Sequence, residues 1–451
     1  MEDTIAGVST SLGVGAISII RISGDKAIEI ANEIFSSINL SNVPTHTIHY
    51  GHIHDKGKVI DEVLVSVMRS PKTFTTENIV EINCHGGIAT TNKVLELVLN
   101  YGARLAAPGE FTKRALLNGR ISLIEAEGIF DLINSKTEKA RKIAINQVDG
   151  NVTKLINKLR KELLELLANI EVNIDYPEYE DVLVVTNEMI YKRMEKTKIQ
   201  VHNLLKESEN SKIIKEGIKT LIIGRPNVGK SSILNKLLDE EKAIVTNIAG
   251  TTRDAIEGTV NFEGILLHIT DTAGVRKTDY IIEKIGVQKS IDLIDENDLI
   301  ILVLNNNEII SDEDIDLIKR SEKKKTIIFI NKNDLEKKTD IDLIKEYNVV
   351  EGNTLTTDGL NSLKKKIKEL INLDQIEKSD FNYLTNARQI SKLKEVLKVL
   401  VDIEKGLNNN EKVDMLEIDI KIIWEMLGEI IGENYSEELL DELFSQFCLG
   451  K

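Results

Sequence analysis

A glycine-containing stretch, LIIGRPNVGKSSILN at residues 221–235, has the residue types of a phosphate-binding loop. Gly224, Gly229, Lys230 and Ser231 fit the pattern G-x-x-x-x-G-K-[ST], and they lie between an apolar strand-like run and a helix-like run. Glycines let backbone N–H groups surround phosphate oxygens, a lysine reaches the β- and γ-phosphates, and a serine hydroxyl ligates Mg²⁺. The spacing therefore predicts a nucleoside triphosphate site with Mg²⁺.

Three further motifs follow in chain order: TNIAGTTRD at 246–254, DTAG at 271–274 and NKND at 331–334. Asp271 can hold the Mg²⁺ shell through water, and the Gly274 N–H can contact the γ-phosphate. Asp334 can accept hydrogen bonds from N1–H and the amino group of guanine, a pair of donors that adenine lacks. The predicted ligand is GTP. Its predicted contacts are Asn227, Val228, Gly229, Lys230, Ser231, Ser232, Thr246, Asn247, Ile248, Ala249, Gly250, Thr251, Thr252, Asp271, Thr272, Ala273, Gly274, Asn331, Lys332 and Asp334.

The residue after DTAG is Val275, where Ras-like enzymes carry a glutamine that orients the attacking water. Hydrolysis then needs another water-positioning group and another positive charge. The amide oxygen of Asn227, inside the loop, can ligate a monovalent cation lying against the phosphates, which would act as an arginine finger does. The alternative is that Asn227 is only a turn residue.

Length and composition set limits on the rest of the molecule. The chain has 451 residues, which predicts two to four domains, and a net charge of −15, which argues against general nucleic-acid binding. It has only two cysteines, Cys84 and Cys448, as expected for a reducing compartment. It contains neither a basic leader-like start nor an apolar run of about 18 residues. We expect a cytoplasmic protein with no membrane contact.

The patterning along the chain predicts a multidomain α+β and α/β protein. Short strand-like runs such as IVEINCH and the helix-like GIATTNKVLELVLNYG indicate an N-terminal α+β domain over residues 1–118. Helical periodicity follows over 119–215 and returns over 376–451, which indicates one discontinuous helical domain. Strands alternate with helices over 216–375, which is typical of an inserted Ras-like P-loop domain with a mainly parallel sheet.

A basic cluster lies in the first helical segment between residues 136 and 161. The same stretch contains only two acidic residues, Glu138 and Asp149. Two interpretations stay open: a surface that faces RNA, or helix faces that simply contact water. The basic residues are Lys136, Lys139, Arg141, Lys142, Lys154, Lys158, Arg160 and Lys161.

Together the motifs resemble those of a known family. GRPNVGKSS, TNIAGTTRD, DTAGVRKT and NKND, with FTTENIVEINCHGG, RLAAPGEFTKRALLNGRISLIEAEGIFDLI and a final FCLGK, are similar to the tRNA modification GTPases called MnmE or TrmE. The resemblance covers essentially the whole chain. It implies a homodimer, joined through its N-terminal domains, that forms a hetero-oligomer with the flavoprotein MnmG (GidA). It also implies transfer of an aminomethyl or carboxymethylaminomethyl group to C5 of a tRNA wobble uridine.

The resemblance further implies cofactors and residue roles. The one-carbon donor would be 5-formyltetrahydrofolate or methylene-tetrahydrofolate, and G domains would dimerise across K⁺. Catalytic roles would fall to Glu283, which orients water, and to Asn227 and Lys230. Metal ligands would be Ser231 and Thr252 for Mg²⁺, and Asn227, Thr246, Ile248 and Thr251 for K⁺. Folate contacts would be Arg21, Glu81, Arg120 and Lys451.

Some positions depart from the family's pattern or support other interpretations. A glycine-rich PPGRGG segment is replaced by SLGVGA at 11–16, a usual lysine is Arg120, and the guanine-contacting Ser-Ala pair is Asn353-Thr354. Without the resemblance, Arg21 and Glu81 would be a salt-bridge pair, and Glu283 an ordinary surface carboxylate. Cys448 is a thiolate nucleophile, a wall of the folate site or, by our preferred interpretation, a packing residue.

Two alternative functions belong to other classes. The first is an RNA-binding regulatory GTPase that acts as a ribosome-assembly switch and would share only the G-domain motifs. The second is a thiol enzyme that uses Cys448 and His85, for which the sequence offers no acidic partner.

Overall fold

The computed structural model describes residues 3–175, 185–240, 258–271, 293–356, 358–373, 383–433, 436–448 and 450. In its described parts the chain forms two compact units. The first comprises Met1–Phe130, Val148–Val185 and Glu411–Lys451, and the second comprises Asp131–Gln147 and Thr186–Asn410. The bounds of the four predicted domain segments stay predictions.

The first unit contains a seven-stranded sheet in the order β3-β4-β5-β6-β2-β1-β7. All of its strand pairs are antiparallel except β1 with β7. The strands are β1 (Ile5–Val8), β2 (Ile17–Ser23), β3 (Phe35–Ser36), β4 (Thr47–Asp55), β5 (Lys58–Met68), β6 (Ile79–His85) and β7 (Arg104–Leu105).

Helices α1 (Ala27–Ile34) and α2 (Ile88–Asn100) cover one face of this sheet. Alternate strand residues, among them Ile20, Val65 and Ile82, form one buried core with α1 and α2. The predicted strand and helix in IVEINCH and GIATTNKVLELVLNYG are confirmed. The alternation leaves the other residues of each strand, including Arg21 and Glu81, on the opposite face.

Further helices complete the first unit. They are α3 (Glu110–Leu117), most of α4 (Leu123–Asn134), α6 (Asn151–Asp175), α12 (Val413–Ile431) and α13 (Glu437–Ser445). The long helices α6 and α12 pack together. Arg160 of α6 joins them, because its guanidinium donates to both carboxylate oxygens of Glu433 at 2.5 Å and lies 4.4 Å from the Trp424 ring. Arg160 is therefore a packing residue, and its assignment to an exposed basic surface is wrong.

The second unit contains a six-stranded sheet in the order β13-β12-β11-β8-β10-β9. Only β9 runs antiparallel to its neighbour, so the predicted mainly parallel sheet is confirmed. The strands are β8 (Ile218–Ile223), β9 (Gly258–Phe262), β10 (Ile265–Asp271), β11 (Leu299–Asn305), β12 (Lys325–Asn331) and β13 (Val349–Glu351).

Helices cover both faces of this sheet, which explains why central strands such as LIILVLN are apolar at every residue but the last. One face packs on α8 (Lys230–Glu240) and α10 (Asn361–Leu370), and the other on α9 (Asp312–Ser321). The second unit also holds most of α5 (Glu138–Val148), with α7 (Asn187–Glu216) and α11 (Ala387–Asn408), which pack against each other. No described helix has the length and apolar character that crossing a membrane requires.

Candidate GTP site and a second polar site

The phosphate-binding loop joins β8 to α8, at the carboxyl edge of the parallel sheet. Two of its glycines are required by the backbone. Gly224 has a φ of 149° and Gly229 a φ of 104°, and a Cβ would overlap the Val303 carbonyl oxygen at the first and Asn331 Nδ2 at the second. Only glycine fits this conformation and this close approach, so the spacing in the motif is a consequence of loop geometry.

Lys230, the first residue of α8, is held inside the loop. Its Nζ donates to the carbonyl oxygens of Gly224 at 3.0 Å and Arg225 at 2.8 Å, and the residue is only 8% exposed. The ammonium group therefore lies within the ring of backbone that would surround phosphates, at the N-terminus of a helix.

A cavity of about 680 Å³ opens over this loop. It contains most of the described residues that the sequence predicted to bind GTP, together with Asn353 and Thr354, which stand at the family's guanine-contacting position, and Pro226, Leu335 and Leu355, which were not predicted as contacts. The predicted residues among its walls are Asn227, Gly229, Lys230, Ser231, Ser232, Asn331, Lys332 and Asp334. Motifs about 100 residues apart in the chain thus line one cavity.

The NKND motif also supports the phosphate-binding loop, a role that the sequence analysis missed. Asn331 Nδ2 donates to the Val228 carbonyl at 2.8 Å, and Lys332 Nζ donates to the Asn227 carbonyl at 2.9 Å. These contacts leave Asp334, at the end of the motif, as a wall of the cavity. The motif therefore positions the loop and reaches the cavity at the same time.

Asn353 organises another wall of the cavity. Its Oδ1 accepts from the backbone N–H groups of Leu355 at 3.0 Å and Thr356 at 3.1 Å, while its Nδ2 donates to Asn333 Oδ1 at 2.8 Å. Lys236 of α8 donates to the Thr356 carbonyl on the same loop. The residue that departs from the family's Ser-Ala pair thus links this loop to NKND.

A buried carboxylate anchors the loop from the other side. Arg225 pairs with Asp314 at 3.0 Å and with Glu308 at 2.8 Å, and the Asp314 side chain is 1% exposed. Asp314 also closes a capping box with Ser311 at the start of α9. Arg225 lies inside the phosphate-binding motif, but its side chain positions the loop through these two ion pairs.

Several predicted residues lie outside the described part of the chain. They are Thr246, Asn247, Ile248, Ala249, Gly250, Thr251, Thr252, Thr272, Ala273, Gly274, Val275, Glu283 and Lys451, while Asp271 is described by its backbone alone, at the end of β10.

A second polar site lies on the open face of the first unit's sheet. Gly7, Arg21, Glu81 and Ser66 form a row across β1, β2, β6 and β5 by strand register. Arg21 Nε donates to Glu81 Oε1 at 2.8 Å, and the Arg21 guanidinium carbon lies 5.6 Å from the centre of the Phe111 ring. The predicted salt bridge between Arg21 and Glu81 is therefore confirmed. Both side chains stay about one-fifth exposed, so they remain accessible to a ligand.

The C-terminal segment packs against this row. Phe444 and Phe447 are buried on Leu116 of α3 and Leu123 of α4. The chain then continues to Gly450, whose carbonyl accepts from Ser9 Oγ at 3.0 Å. Gly450 lies over Gly7, the strand partner of Arg21, since a Cβ at Gly7 would meet Gly450 Cα at 3.4 Å.

The two cysteines have opposite environments. Cys448 is exposed, so its interpretation as a packing residue is wrong. Cys84 is the packing cysteine, and burial, with the nearby Asp61 carboxylate, raises the pKa of its thiol to about 11. His85 has the acidic partner that the sequence did not offer, since its Nδ1 lies 2.7 Å from Asp61 Oδ1. In the described chain, however, no hydrogen bond joins His85 to Cys448.

Comparison with known proteins identifies the family. Residues 4–120 match the family model "GTP-binding protein TrmE N-terminus", and residues 123–448 match "MnmE helical domain". The chain belongs to the MnmE family. The match to the N-terminal model favours this family over a ribosome-assembly switch that shares only G-domain motifs.

Curated relatives agree over the full length. The "tRNA modification GTPase MnmE" of Bacillus licheniformis is 51% identical over 458 residues, with 100% of both chains covered. The proteins of the same name from Bacillus subtilis strain 168 and Bacillus cereus strain ATCC 14579 are each 49% identical, over 458 and 455 residues, and cover 100% of this chain and 100% and 99% of their own lengths.

Proposed function

We propose that this protein hydrolyses GTP as part of a reaction that modifies the wobble uridine of tRNA. The observation that carries this function is the single cavity formed by the phosphate-binding loop and NKND, in a chain that belongs to a family of tRNA modification GTPases. Loop N–H groups and Lys230 bind the phosphates, and Asp334 accepts hydrogen bonds from guanine.

The described metal ligands suit the ions that the family resemblance implies. The Ser231 hydroxyl, in the first turn of α8, is the hard oxygen donor that Mg²⁺ prefers, with Thr252 as its proposed companion. Asn227 lines the cavity with a φ of 65°, and its side chain makes no hydrogen bond with the described residues. Its amide oxygen is thus available to K⁺, with Thr246, Ile248 and Thr251 as further ligands. K⁺ supplies positive charge beside the phosphates, and Glu283 orients the water.

For the tRNA chemistry we propose a folate on the open face of the first unit's sheet. Glu81 uses one carboxylate oxygen for Arg21 and, within the described residues, leaves Oε2 without a hydrogen bond. A partly exposed carboxylate suits a pterin, whose amidine-like edge donates paired hydrogen bonds. The folate is 5-formyl- or methylene-tetrahydrofolate, and Arg120 and Lys451 bind its carboxylates. We further propose that the exposed Cys448 acts as a wall of this site or as a nucleophile.

The remaining proposals concern assembly. A cytoplasmic homodimer, joined through residues 1–118, works with the flavoprotein MnmG (GidA) and adds the aminomethyl or carboxymethylaminomethyl group. The exposed lysines Lys154, Lys158 and Lys161 on one side of α6 suit contact with tRNA phosphates. We also propose that residues 216–375 form an inserted P-loop domain, and that residues 119–215 and 376–451 together form one discontinuous helical domain.

One experiment tests the main proposal and its cation. Lys230→Ala should lower the GTP hydrolysis rate by roughly a hundredfold or more, because it removes a charge that lies against the phosphates. Hydrolysis by the unchanged protein should be much faster in K⁺ than in Na⁺. In cells that carry only the Lys230 variant, the modified wobble nucleoside should disappear from tRNA, as measured by mass spectrometry.

Lys219→Ala is the matched control, because Lys219 is an exposed lysine on β8 outside the cavity. Normal modification in the Lys230 variant would separate GTP hydrolysis from the tRNA reaction and contradict the proposal. Equal rates of GTP hydrolysis in K⁺ and Na⁺ would contradict the proposed role of K⁺.

A further inference from the structure

A second large cavity lies in the first unit, apart from the Arg21–Glu81 row. It measures about 610 Å³, which is within the range of small-molecule sites. We call it the Arg120 cavity. Its walls are His46, Met68, Pro71, Lys72, Thr73, Phe74, Thr76, Asn118, Gly119 and Arg120.

The charge of the Arg120 cavity is one-sided. Its walls include Lys72, Arg120 and His46, and none of the described wall residues is acidic. Neither Lys72 nor Arg120 forms an ion pair with any residue that the structure describes. By contrast, the buried Arg114 of the same unit pairs with Asp3, Glu77 and Glu110. Unneutralised cations around one cavity, in a chain of net charge −15, favour an anionic ligand.

The Arg120 cavity is linked to the proposed folate site, because Arg120 is both a wall of the cavity and a proposed folate contact. The Arg120 guanidinium carbon lies 4.9 Å from the centre of the Phe74 ring, and Arg120 Nη1 donates to the Phe74 carbonyl at 2.8 Å. Phe74 packs against the small core that contains Phe111, and the Phe111 ring lies beneath Arg21. Phe111 itself is fully buried, so an extended ligand whose ring system lies at Glu81 and Arg21 would pass over the surface to reach the cations at Arg120 and Lys72.

We propose that the Arg120 cavity binds the γ-linked glutamyl tail of the folate, and that the protein therefore prefers polyglutamylated over monoglutamylated folates. The inference rests on the proposed folate site and extends it. Each γ-linked glutamate adds one carboxylate on a flexible chain, so a single glutamate satisfies one cation and a longer tail satisfies several. Met68, Pro71 and Phe74 supply apolar walls for the methylene groups between the carboxylates.

The test compares two probes, 5-formyltetrahydrofolate with one glutamate and with five, by titration calorimetry on the full-length protein. We expect the pentaglutamate to bind roughly tenfold more tightly, since two or three exposed charge pairs contribute a few-fold each. The preference should shrink as NaCl is raised, because the pairs are screened. Lys72→Ala should reduce the preference to about threefold or less and should affect the monoglutamate less than the pentaglutamate.

Lys58→Ala is the control, because Lys58 is an exposed lysine of β5 outside the cavity, and it should keep the full preference. Equal affinity of the unchanged protein for both probes would overturn the inference and leave the folate site intact. A preference that survives Lys72→Ala would also overturn it. Failure of both probes to bind would instead remove the folate site itself. Loss of tRNA binding in the Lys72 variant, with the preference for the pentaglutamate unchanged, would reassign the cavity to RNA phosphates.

Discussion

The GTP cavity and the Arg21–Glu81 row are built in different ways. The GTP cavity depends on backbone, since a six-residue loop, Gly224 to Gly229, provides N–H groups and other motifs hold the loop in place. The row on the first unit's sheet depends on side chains from separate strands, which strand register brings together. A site made from backbone appears in the sequence as a fixed spacing of glycines. A site made from strand register leaves no local pattern.

The difference also affects how the two sites respond to substitution. A Cβ added to the loop changes the backbone that binds the ligand, so one methyl group removes the site. A residue of the sheet row can change while its neighbours keep the register. Within the first unit, the C-terminal segment is an exception to this tolerance of substitution. Gly450 contacts the sheet through backbone atoms, so an added Cβ there would disturb the contact.

The largest effect is expected for Gly229→Ala. The new Cβ would overlap Asn331 Nδ2, and the φ of 104° strains any residue but glycine. Together these should cost more than about 3 kcal/mol in the bound state, so GTP affinity should fall by a hundredfold or more. Fluorescent GTP analogue titration measures it, and binding within fivefold of the unchanged protein would contradict the backbone-built description.

Gly57→Ala is the control for this substitution. Gly57 has a φ of 81°, but nothing lies within 4 Å of the added Cβ, so only the backbone strain is reproduced. Nucleotide affinity should be unchanged in this variant.

The sequence could predict the features that have a local pattern, and it could not predict those that depend on residues far apart in the chain. LIILVLN was predicted as a strand because a strand buried on both faces is apolar at nearly every residue. The bracing of the loop by Asn331, and the pairing of Arg225 with Asp314, join residues about 90–100 positions apart and have no local pattern. Arg160 was misassigned for this reason, because Glu433 and Trp424, which bury it, lie about 270 positions away.

Helix α7 shows a second limit. Its thirty residues, Asn187–Glu216, are mostly polar and have no strong apolar periodicity, so the sequence did not separate it from the helices around it. In the structure, the Thr186 side chain caps the start of the helix, and Gly217, with a φ of 77°, ends it.

The second-largest effect is expected for Gly450→Ala, which tests the exception in the first unit. The added Cβ would overlap the Val8 carbonyl oxygen, and the φ of 84° adds strain, so the C-terminal segment should leave the sheet at a cost of about 2 kcal/mol. Amide hydrogen exchange around residues 437–448 should rise, and folate binding should weaken. GTP hydrolysis should stay normal, because the P-loop belongs to the other unit.

Gly57→Ala again serves as the control, since it reproduces a positive φ in the same unit without overlap. Unchanged hydrogen exchange at residues 437–448 in the Gly450 variant would mean that the contact with Val8 does not hold the segment.

A smaller effect is expected for Asn353→Ala, which removes a side chain rather than backbone from the GTP cavity. The loop over Leu355 and Thr356 loses three hydrogen bonds that the Asn353 Oδ1 accepts, and it loses its link to Asn333. GTP affinity should fall roughly tenfold, with a larger change in KM than in kcat. Asn353→Asp keeps the acceptor and should recover affinity to within about threefold. Asn361→Ala, which loses one exposed bond to Asp358, is the control and should bind normally.

The smallest effect on nucleotide chemistry is expected from modifying the thiols. Cys448 is exposed, whereas burial and the Asp61 carboxylate raise the pKa of Cys84 to about 11. Because the thiolate is the form that reacts, only roughly one in a thousand Cys84 side chains is reactive at pH 8. Iodoacetamide should therefore label one thiol per folded chain and two in denaturant, as counted by mass spectrometry.

Cys448→Ser should abolish the labelling of the folded protein, and Cys84→Ser should leave it unchanged. Alkylation of Cys448 adds a polar group to the C-terminal segment, two residues before the Gly450 that contacts Gly7, and should reduce folate binding. It should leave GTP hydrolysis unaltered, because the carbonyl of Cys448 contacts Gly109 of the first unit, and the loop that binds phosphates belongs to the second. Rapid labelling of both thiols in the folded protein would contradict the burial of Cys84. A fall in the hydrolysis rate after alkylation would show that the C-terminal segment acts on the GTP cavity, and the two sites would then have to be treated as one.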